Sequence, residues 1–358
     1  MKYSRTALAD IEGYVPGEQP RQAGIIKLNT NENPYPPSPR VIETLRCLPE
    51  DALRKYPDPV SLQLREACAV RYGYDEPDWV FAGNGMDEIL SLAVRTFVDP
   101  EDTILAPYPT YTLYETLARL HGAHIRLVDL DDAFGLTETF FLERGRLAFL
   151  ARPNAPTGVA YPLDQVARFC RAFDGVVFID EAYVDFAEDS CIDFPKRFDN
   201  VIVGRTFSKS FSLAGLRLGL AFARPEFITE FMKTKDSYNV NCATQAAALA
   251  AIADYGWMEA NAAKVRTTRA RLAAALRGMG FRVPESQANF LLAIREGKPC
   301  ASEIFDALRA RGIYVRYFAA RRLDDALRIS IGTDDEMNAL IAALEEILGA
   351  RKIGRAHV

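Results

Sequence analysis

The stretch GVVFIDEAYVDFAEDSCIDFPKRFDNVIVGRTFSKSFSLAGLR, residues 175–217, decides the fold. It holds two short apolar runs, VVFI and VIVG, each rich in β-branched or aromatic residues and apolar on both faces. Strands buried on both faces of a parallel sheet have to look like this. Each run leads into a residue with chemistry. Asp180 follows VVFI directly, and Lys209 follows VIVG and the short link RTFS. In open α/β sheets ligands bind beyond the carboxyl ends of the strands, so an acid and a lysine carried there can face one bound ring. The plainer reading of the pair is a buried ion pair or solvated charges.

Further runs of the same kind lie upstream: DTILAP (102–107) and RLAFLARP (146–153). Helical segments separate them; PLDQVARFCRAF (162–173) sets Leu163, Val166, Ala167 and Cys170 at helical spacing. The alternation predicts an α/β fold with a mostly parallel central sheet covered by helices. Near residue 243 the texture changes to the helical stretches ATQAAALAAIADYG and WMEANAAKVRTTRARLAAALRGMG. The shorter strands ANFLLAI, GIYVRYF and ALRISIG follow, alternating with helices. This half reads as a smaller α+β C-terminal domain. The expected division is an N-terminal arm over 1–40, a large domain over 41–262 and a small one over 263–358. The boundary falls inside the long helix around 258–279. The arm, proline-rich and ending in LNTNENPYPPSPR, cannot form a core and is expected to lie on the small domain and a partner subunit.

Composition narrows the function. The net charge of -5 gives no global basic field for nucleic acid or an anionic membrane. The opening MKYSRTALADIEGYVPG has no apolar core of the secretion type, and no uncharged apolar run approaches 18 residues, so a cytoplasmic protein is expected. The six cysteines are scattered without a C-x-x-C pair and read as reduced packing residues. The three histidines lack neighbours of metal-ligand spacing, so no metal site is expected and the chemistry is not expected to rest on imidazole.

Two segments suit an anion. Ser208 to Arg217 crowds hydroxyls, a glycine and an arginine around Lys209, and arginine grips phosphate through two parallel hydrogen bonds. Gly83-Asn84-Gly85-Met86-Asp87-Glu88 reads as a strand-to-helix turn, where glycines admit close backbone approach and helix-start N–H groups favour a phosphate. Its plain reading is a tight turn with an N-cap. It is not a dinucleotide fingerprint, because Glu88 stands where the third glycine belongs.

Asn154-Ala155-Pro156-Thr157-Gly158, Asp180-Glu181-Ala182-Tyr183 and Ser208-Lys209 through Gly215-Leu216-Arg217, in this order and spacing, resemble the fold-type-I pyridoxal-phosphate aminotransferases over nearly the whole chain. Within them, four segments look like the histidinol-phosphate aminotransferase family: LNTNENP (28–34), RKYP (54–57), DSYNVN (236–241) and LRISIGT (327–333). The resemblance implies pyridoxal 5'-phosphate as cofactor. It makes Lys209 the Schiff-base lysine and the base that shuttles a proton, Asp180 the partner of the pyridinium nitrogen, and Tyr183 a donor to the ring's phenolic oxygen. Tyr111, in PYPTYTLY, would stack on the ring. Ser208, Arg217 and the turn Gly85-Met86-Asp87 would hold the phosphate. One position departs from the family: Ala155 stands where relatives carry a second asparagine, so Asn154 is expected to supply the ring contact, with Tyr183 alone as the other possibility.

The same resemblance implies two alternating substrates, a phosphorylated amino alcohol and glutamate or 2-oxoglutarate, whose oxygens one arginine can bind in turn. Of Arg309, Arg311, Arg316, Arg321, Arg322 and Arg328, the first two read as a solvated helix face. Arg316 and Arg328 lie in apolar strand-like runs and match the family's substrate-anion arginines. Asn31 is placed with the substrate. Tyr14 resembles a tyrosine that closes over the substrate phosphate, and Tyr56 one that reaches in from a neighbouring subunit, which implies a homodimer with shared sites. Alternatives on the same fold are an aromatic amino-acid aminotransferase and a threonine-phosphate decarboxylase. A non-catalytic effector-binding protein is the reading from another class, disfavoured because no helix-turn-helix pattern accompanies it. A nicotinamide dehydrogenase fails for lack of the glycine fingerprint.

Overall fold

In the computed structural model, which describes residues 3–4, 8, 18–20 and 24–349, seven strands carry the candidate site. They are β2 (Val80–Gly83), β3 (Thr103–Tyr108), β4 (His124–Asp129), β5 (Leu147–Ala151), β6 (Val176–Asp180), β7 (Val201–Thr206) and β8 (Gly219–Phe222), preceded in the chain by the short β1 (Ile26–Lys27). Their order across the sheet is β2-β8-β7-β6-β5-β3-β4. Every neighbouring pair is parallel except those made by β8, which runs against both β7 and β2. All the other strands therefore point one way. Gly83, Tyr108, Ala151, Asp180 and Thr206 end on the same edge, and β8 begins there, with Gly219 opposite both Gly83 and Thr206.

The sheet is covered on both faces, and the period of two shows it. Leu105, Ala148, Leu150, Val177, Ile179, Val201 and Val203 belong to one buried cluster. Their neighbours Ile104, Ala106, Phe149, Phe178 and Ile202 belong to a second. Successive side chains of a strand point to opposite faces, so a strand with helices on both sides has no polar positions to offer. The four apolar runs read from sequence are β3, β5, β6 and β7.

A three-stranded antiparallel sheet follows, ordered β11-β12-β9, from β9 (Phe290–Ile294), β11 (Arg316–Tyr317) and β12 (Ala326–Ser330). GIYVRYF is not the single strand expected. It divides at buried Val315 into β10 (Ile313–Tyr314), which pairs in parallel with β1, and β11, which pairs with β12. The physical reason is competition for partners: Ile26–Lys27 takes the first half of the run and Leu327–Arg328 the second. The helix Tyr255–Gly278 is unbroken over 24 residues. Arg266 and Arg269 on it donate to the carbonyls of Asp185 and Phe186, just beyond β6.

Residues 24–40 have little regular structure of their own, in keeping with their prolines. Beyond β1, Leu28 N–H donates to Tyr314 O and Ser330 N–H to Leu28 O, which lays this segment along the C-terminal strands. Among the described residues no helix is long and apolar enough to cross a membrane, and no cluster of His, Cys, Asp and Glu could hold a metal ion. All six cysteines are free thiols; Cys68, Cys170 and Cys191 are buried.

Candidate active site

Lys209 sits on a loop that leaves β7 and returns as β8. Phe207 N–H donates to Leu218 O at 3.1 Å and Leu213 N–H to Phe207 O at 3.1 Å, closing the loop at its base. Phe207 and Phe211 stack with centroids 4.3 Å apart and root it in the core. The sequence folds this way because two residues accept left-handed backbone, Ser212 at φ 61° and Arg217 at φ 52°. A second element grips the crest: Asn33 Nδ2 lies 3.1 Å from Lys209 O and 3.0 Å from Ser210 O. The Lys209 amine is 3.4 Å from Thr30 O and 5.6 Å from the centre of the Tyr183 ring.

Asp180 closes β6 and is 4% exposed. Its Oδ2 accepts from Tyr114 OH at 2.7 Å and its Oδ1 from Ala182 N–H at 3.1 Å. Burial pushes the carboxyl up to about 6, although both hydrogen bonds pull the other way. A buried carboxylate of raised pKa favours a cationic partner, and a protonated ring nitrogen is one.

The segments expected to suit an anion assemble at the sheet edge. Gly85, at φ 86°, caps the helix Met86–Phe97 and lets the chain turn from β2 into it. A Cβ on Gly219 would stand 2.8 Å from Met86 N, a backbone atom, so close approach requires that glycine, whereas Gly85, whose Cβ would stand 2.6 Å from the movable Arg217 Nη2, is favoured by its left-handed backbone. Arg217 Nη1 reaches Ser208 Oγ at 3.4 Å and Nη2 reaches Asp87 Oδ2 at 3.2 Å. Tyr111 OH donates to Asp87 Oδ1 at 3.3 Å. Met86, Asp87, Tyr111, Asp180, Tyr183, Ser208, Lys209, Arg217, Arg316 and Arg328 all line one cleft.

Asn154 is not among the residues that line the cleft. Its side chain is fully buried behind the cleft wall; Nδ2 donates to Pro109 O and Thr157 Oγ1, both at 3.0 Å, and Oδ1 accepts from Thr110. The amide holds its own loop together, and Ala155 and Pro156 face the cleft instead. Tyr183 keeps the other possibility alive: its oxygen accepts from Asn31 Nδ2 at 3.0 Å, which leaves the phenolic hydrogen to donate elsewhere.

The second sheet brings Arg316 and Arg328 into the same cleft, with Phe318 beside them. Asn31, at φ 56°, is fixed by Ser330 Oγ, which accepts from its N–H at 2.9 Å, and by Asn289, which donates to its carbonyl at 2.9 Å. Tyr56 does not reach this chain's cleft; it is 80% exposed and stacks on Tyr238 at 4.3 Å. Tyr14 lies outside the described residues. Arg309 and Arg311 are exposed, as read. Arg321 is exposed and forms a two-fold bridge to Asp129 at 2.6 Å, and half-buried Arg322 donates to Asp131 O at 2.6 Å. Sequence reasoning assigned no role to Tyr114, Thr30 or Asn33, although all three stand inside motifs it quoted.

The donor set suits a flat ring with a phosphate: cationic and hydroxyl donors at a helix start, a buried acid, a primary amine and the tyrosines Tyr111 and Tyr183. Residues 23–344 match the family model described as aminotransferase class I and II. The chain is 45% identical over 346 residues to the histidinol-phosphate aminotransferase of Microcystis aeruginosa, covering 97% of this chain and 99% of that one. It is 44% identical over 353 residues to that of Syntrophotalea carbinolica, with 97% and 100% covered. Among solved structures, the histidinol-phosphate aminotransferase from Sinorhizobium meliloti in complex with pyridoxal-5'-phosphate superposes with a TM-score of 0.84 at 28% identity, over 91% of each chain.

Proposed function

The chain belongs to the class I and II aminotransferase family, and from that premise we propose that it transfers an amino group between histidinol phosphate and 2-oxoglutarate, with pyridoxal 5'-phosphate as cofactor. One observation carries the reading. A single cleft joins the Lys209, Asp180 and Arg217 set of the large sheet to the Arg316–Arg328 pair of the small one. The first set suits the cofactor and its phosphate, and the second a substrate anion.

When bound, the cofactor supplies a protonated ring that draws electrons from the carbon bearing the substrate's amino group. Ser208, Arg217 and the helix start at Met86 and Asp87 would hold its phosphate, and Tyr111 would lie against the ring. Asp180 would keep the ring nitrogen protonated. Lys209 is the amine that would hold the cofactor and, when free, would move the proton at the substrate carbon. The hold of Asn33 on the Lys209 carbonyl confines that motion to the side chain. Tyr183, whose oxygen accepts from Asn31, would donate its hydrogen to the ring oxygen. Arg316 and Arg328 bind the phosphate of one substrate and the distal carboxylate of the other, since both present oxygens to a planar guanidinium.

In this reading residues 41–262 hold the cofactor and residues 263–358 bring the substrate arginines. Two copies form a homodimer in which Tyr56 completes the neighbouring site, and the enzyme serves histidine biosynthesis in the cytoplasm. The test is the visible band of the loaded protein. Histidinol phosphate alone is expected to bleach it, and 2-oxoglutarate to restore it. Bleaching by phenylalanine or tyrosine in preference to histidinol phosphate would move the activity to aromatic amino acids. No band after added cofactor would end the reading.

A further inference from the structure

Three residues that do not line the cleft stand one or two places along the chain from three that do. Glu181 follows Asp180, Asp185 lies two residues beyond Tyr183, and Ser210 follows Lys209. All three are joined through Arg205. Its Nη1 lies 2.9 Å from Asp185 Oδ1 and its Nη2 3.3 Å from Glu181 Oε2. Asp185 Oδ2 in turn accepts from Ser210 Oγ. Resting on the transaminase reading, we propose that Arg205 is a positioning residue that ties the strand end bearing Asp180 and the turn bearing Tyr183 to the loop bearing Lys209, through the chain Glu181–Arg205–Asp185–Ser210.

Several features favour a geometric role over simple charge pairing. Arg205 and Glu181 are buried, and Asp185 is nearly so. The guanidinium lies 4.9 Å from the Tyr72 ring centre, and Nη2 also donates to Ser190 Oγ at 2.8 Å. Ser190 donates on to Glu181 Oε2 at 2.8 Å, so the acid's orientation is fixed from a second side. Buried ion pairs often add little stability over apolar packing, whereas a planar fork between two acids fixes direction as well as distance. Asn33 holds the same loop by the backbone carbonyls of Lys209 and Ser210, so the link through the Ser210 side chain adds a second, separate anchor.

The test compares wild type with Ser210→Ala and Asp185→Asn, both close to isosteric, in two measurements. Hydrogen exchange on the cofactor-free protein is expected to quicken in residues 207–213 of either variant and to stay unchanged within β5 and β6. In the loaded enzymes kcat is expected to fall about tenfold with KM within about twofold, because a misplacement near 1 Å can cost ~100-fold in rate. The double variant is expected to lose no more than the worse single one, since both cut one link. A drop in melting temperature with unchanged exchange or unchanged kcat overturns the proposal and leaves an ordinary buried ion pair. So does full additivity of the two losses. The exchange measurement needs no turnover, so it stands apart from the function: a wild type that fails to transfer amino groups, with variants that still exchange faster than it, would refute the reaction and keep the link.

Discussion

Arg316 and Arg328 are direct partners across the antiparallel β11–β12 pair, both with their guanidinium carbons within 5.2–5.5 Å of the Phe318 ring centre. Like charges directly opposite on one face destabilise a sheet, and a bound anion relieves that repulsion. Inorganic phosphate is therefore expected to raise the melting temperature of wild type more than that of Arg328→Met. In turnover, Arg328→Met is expected to lose about 10- to 100-fold in kcat/KM, the worth of one hydrogen bond to a charged group. An equal phosphate response in both proteins would place the anion elsewhere.

Asp180 makes stability depend on pH. An unfolded aspartate titrates near 3.8, and burial, the largest cause, raises this one to about 6. A raised folded-state value means the protonated form is favoured by folding. Its contribution is full below the unfolded value and is lost as pH rises through about 6. The cofactor-free Asp180→Asn protein is expected to be more stable than wild type at neutral pH, by at most about 3 kcal/mol, and to match it in acid. Thermal melts across that range decide it; parallel curves for both proteins would mean that Asp180 ionises at no penalty.

Tyr114→Phe is expected to remove the 2.7 Å hydrogen bond to Asp180 while keeping the ring's stacking on Phe149. The buried acid then loses a donor, at about 1–3 kcal/mol. Denaturant unfolding of the cofactor-free protein at neutral pH measures this. The loss is expected to shrink in an Asp180→Asn background, where the charge is already gone.

Gly85→Ala tests the phosphate end. The residue holds φ 86°, and the added carbon would meet Arg217 Nη2 at 2.6 Å. The backbone strain is expected to remove about 1–3 kcal/mol of stability. Displacing Arg217 is expected to weaken cofactor retention, seen as faster loss of the visible band on dialysis. Retention equal to wild type would show that Arg217 does not hold the phosphate.

Lys209→Ala is expected to abolish turnover, with a loss of at least ~100-fold from removal of the base alone, while the protein still takes up cofactor without a covalent bond. Borohydride reduction followed by mass analysis separates the two forms. A covalent adduct surviving in Lys209→Ala would assign the cofactor to another lysine.

The sequence by itself determined the architecture of the large sheet. Its central strands, from β3 to β7 apart from the edge strand β4, are buried on both faces, so their residues carry the pattern without help from distant neighbours. Asp180 and Lys209 were legible for the same reason, because strand ends on a common edge follow from parallel strands. GIYVRYF shows where this stops: seven apolar-rich residues predict one strand, but hydrogen-bond partners 287 residues upstream in β1 and a few residues downstream in β12 divide it. The surroundings of Asn154 show the same limit. A motif gives a side chain's address, and only the loop around it shows that Pro109, Thr110 and Thr157 already occupy its amide. The facing of Arg316 and Arg328 is set by strand register, and the hydrogen bond from Tyr114 to Asp180 and the Arg205 link join residues far apart in the chain. No local periodicity encodes such meetings. Tertiary packing decided them, because burial forces each polar group to find its partner wherever the folded chain supplies one.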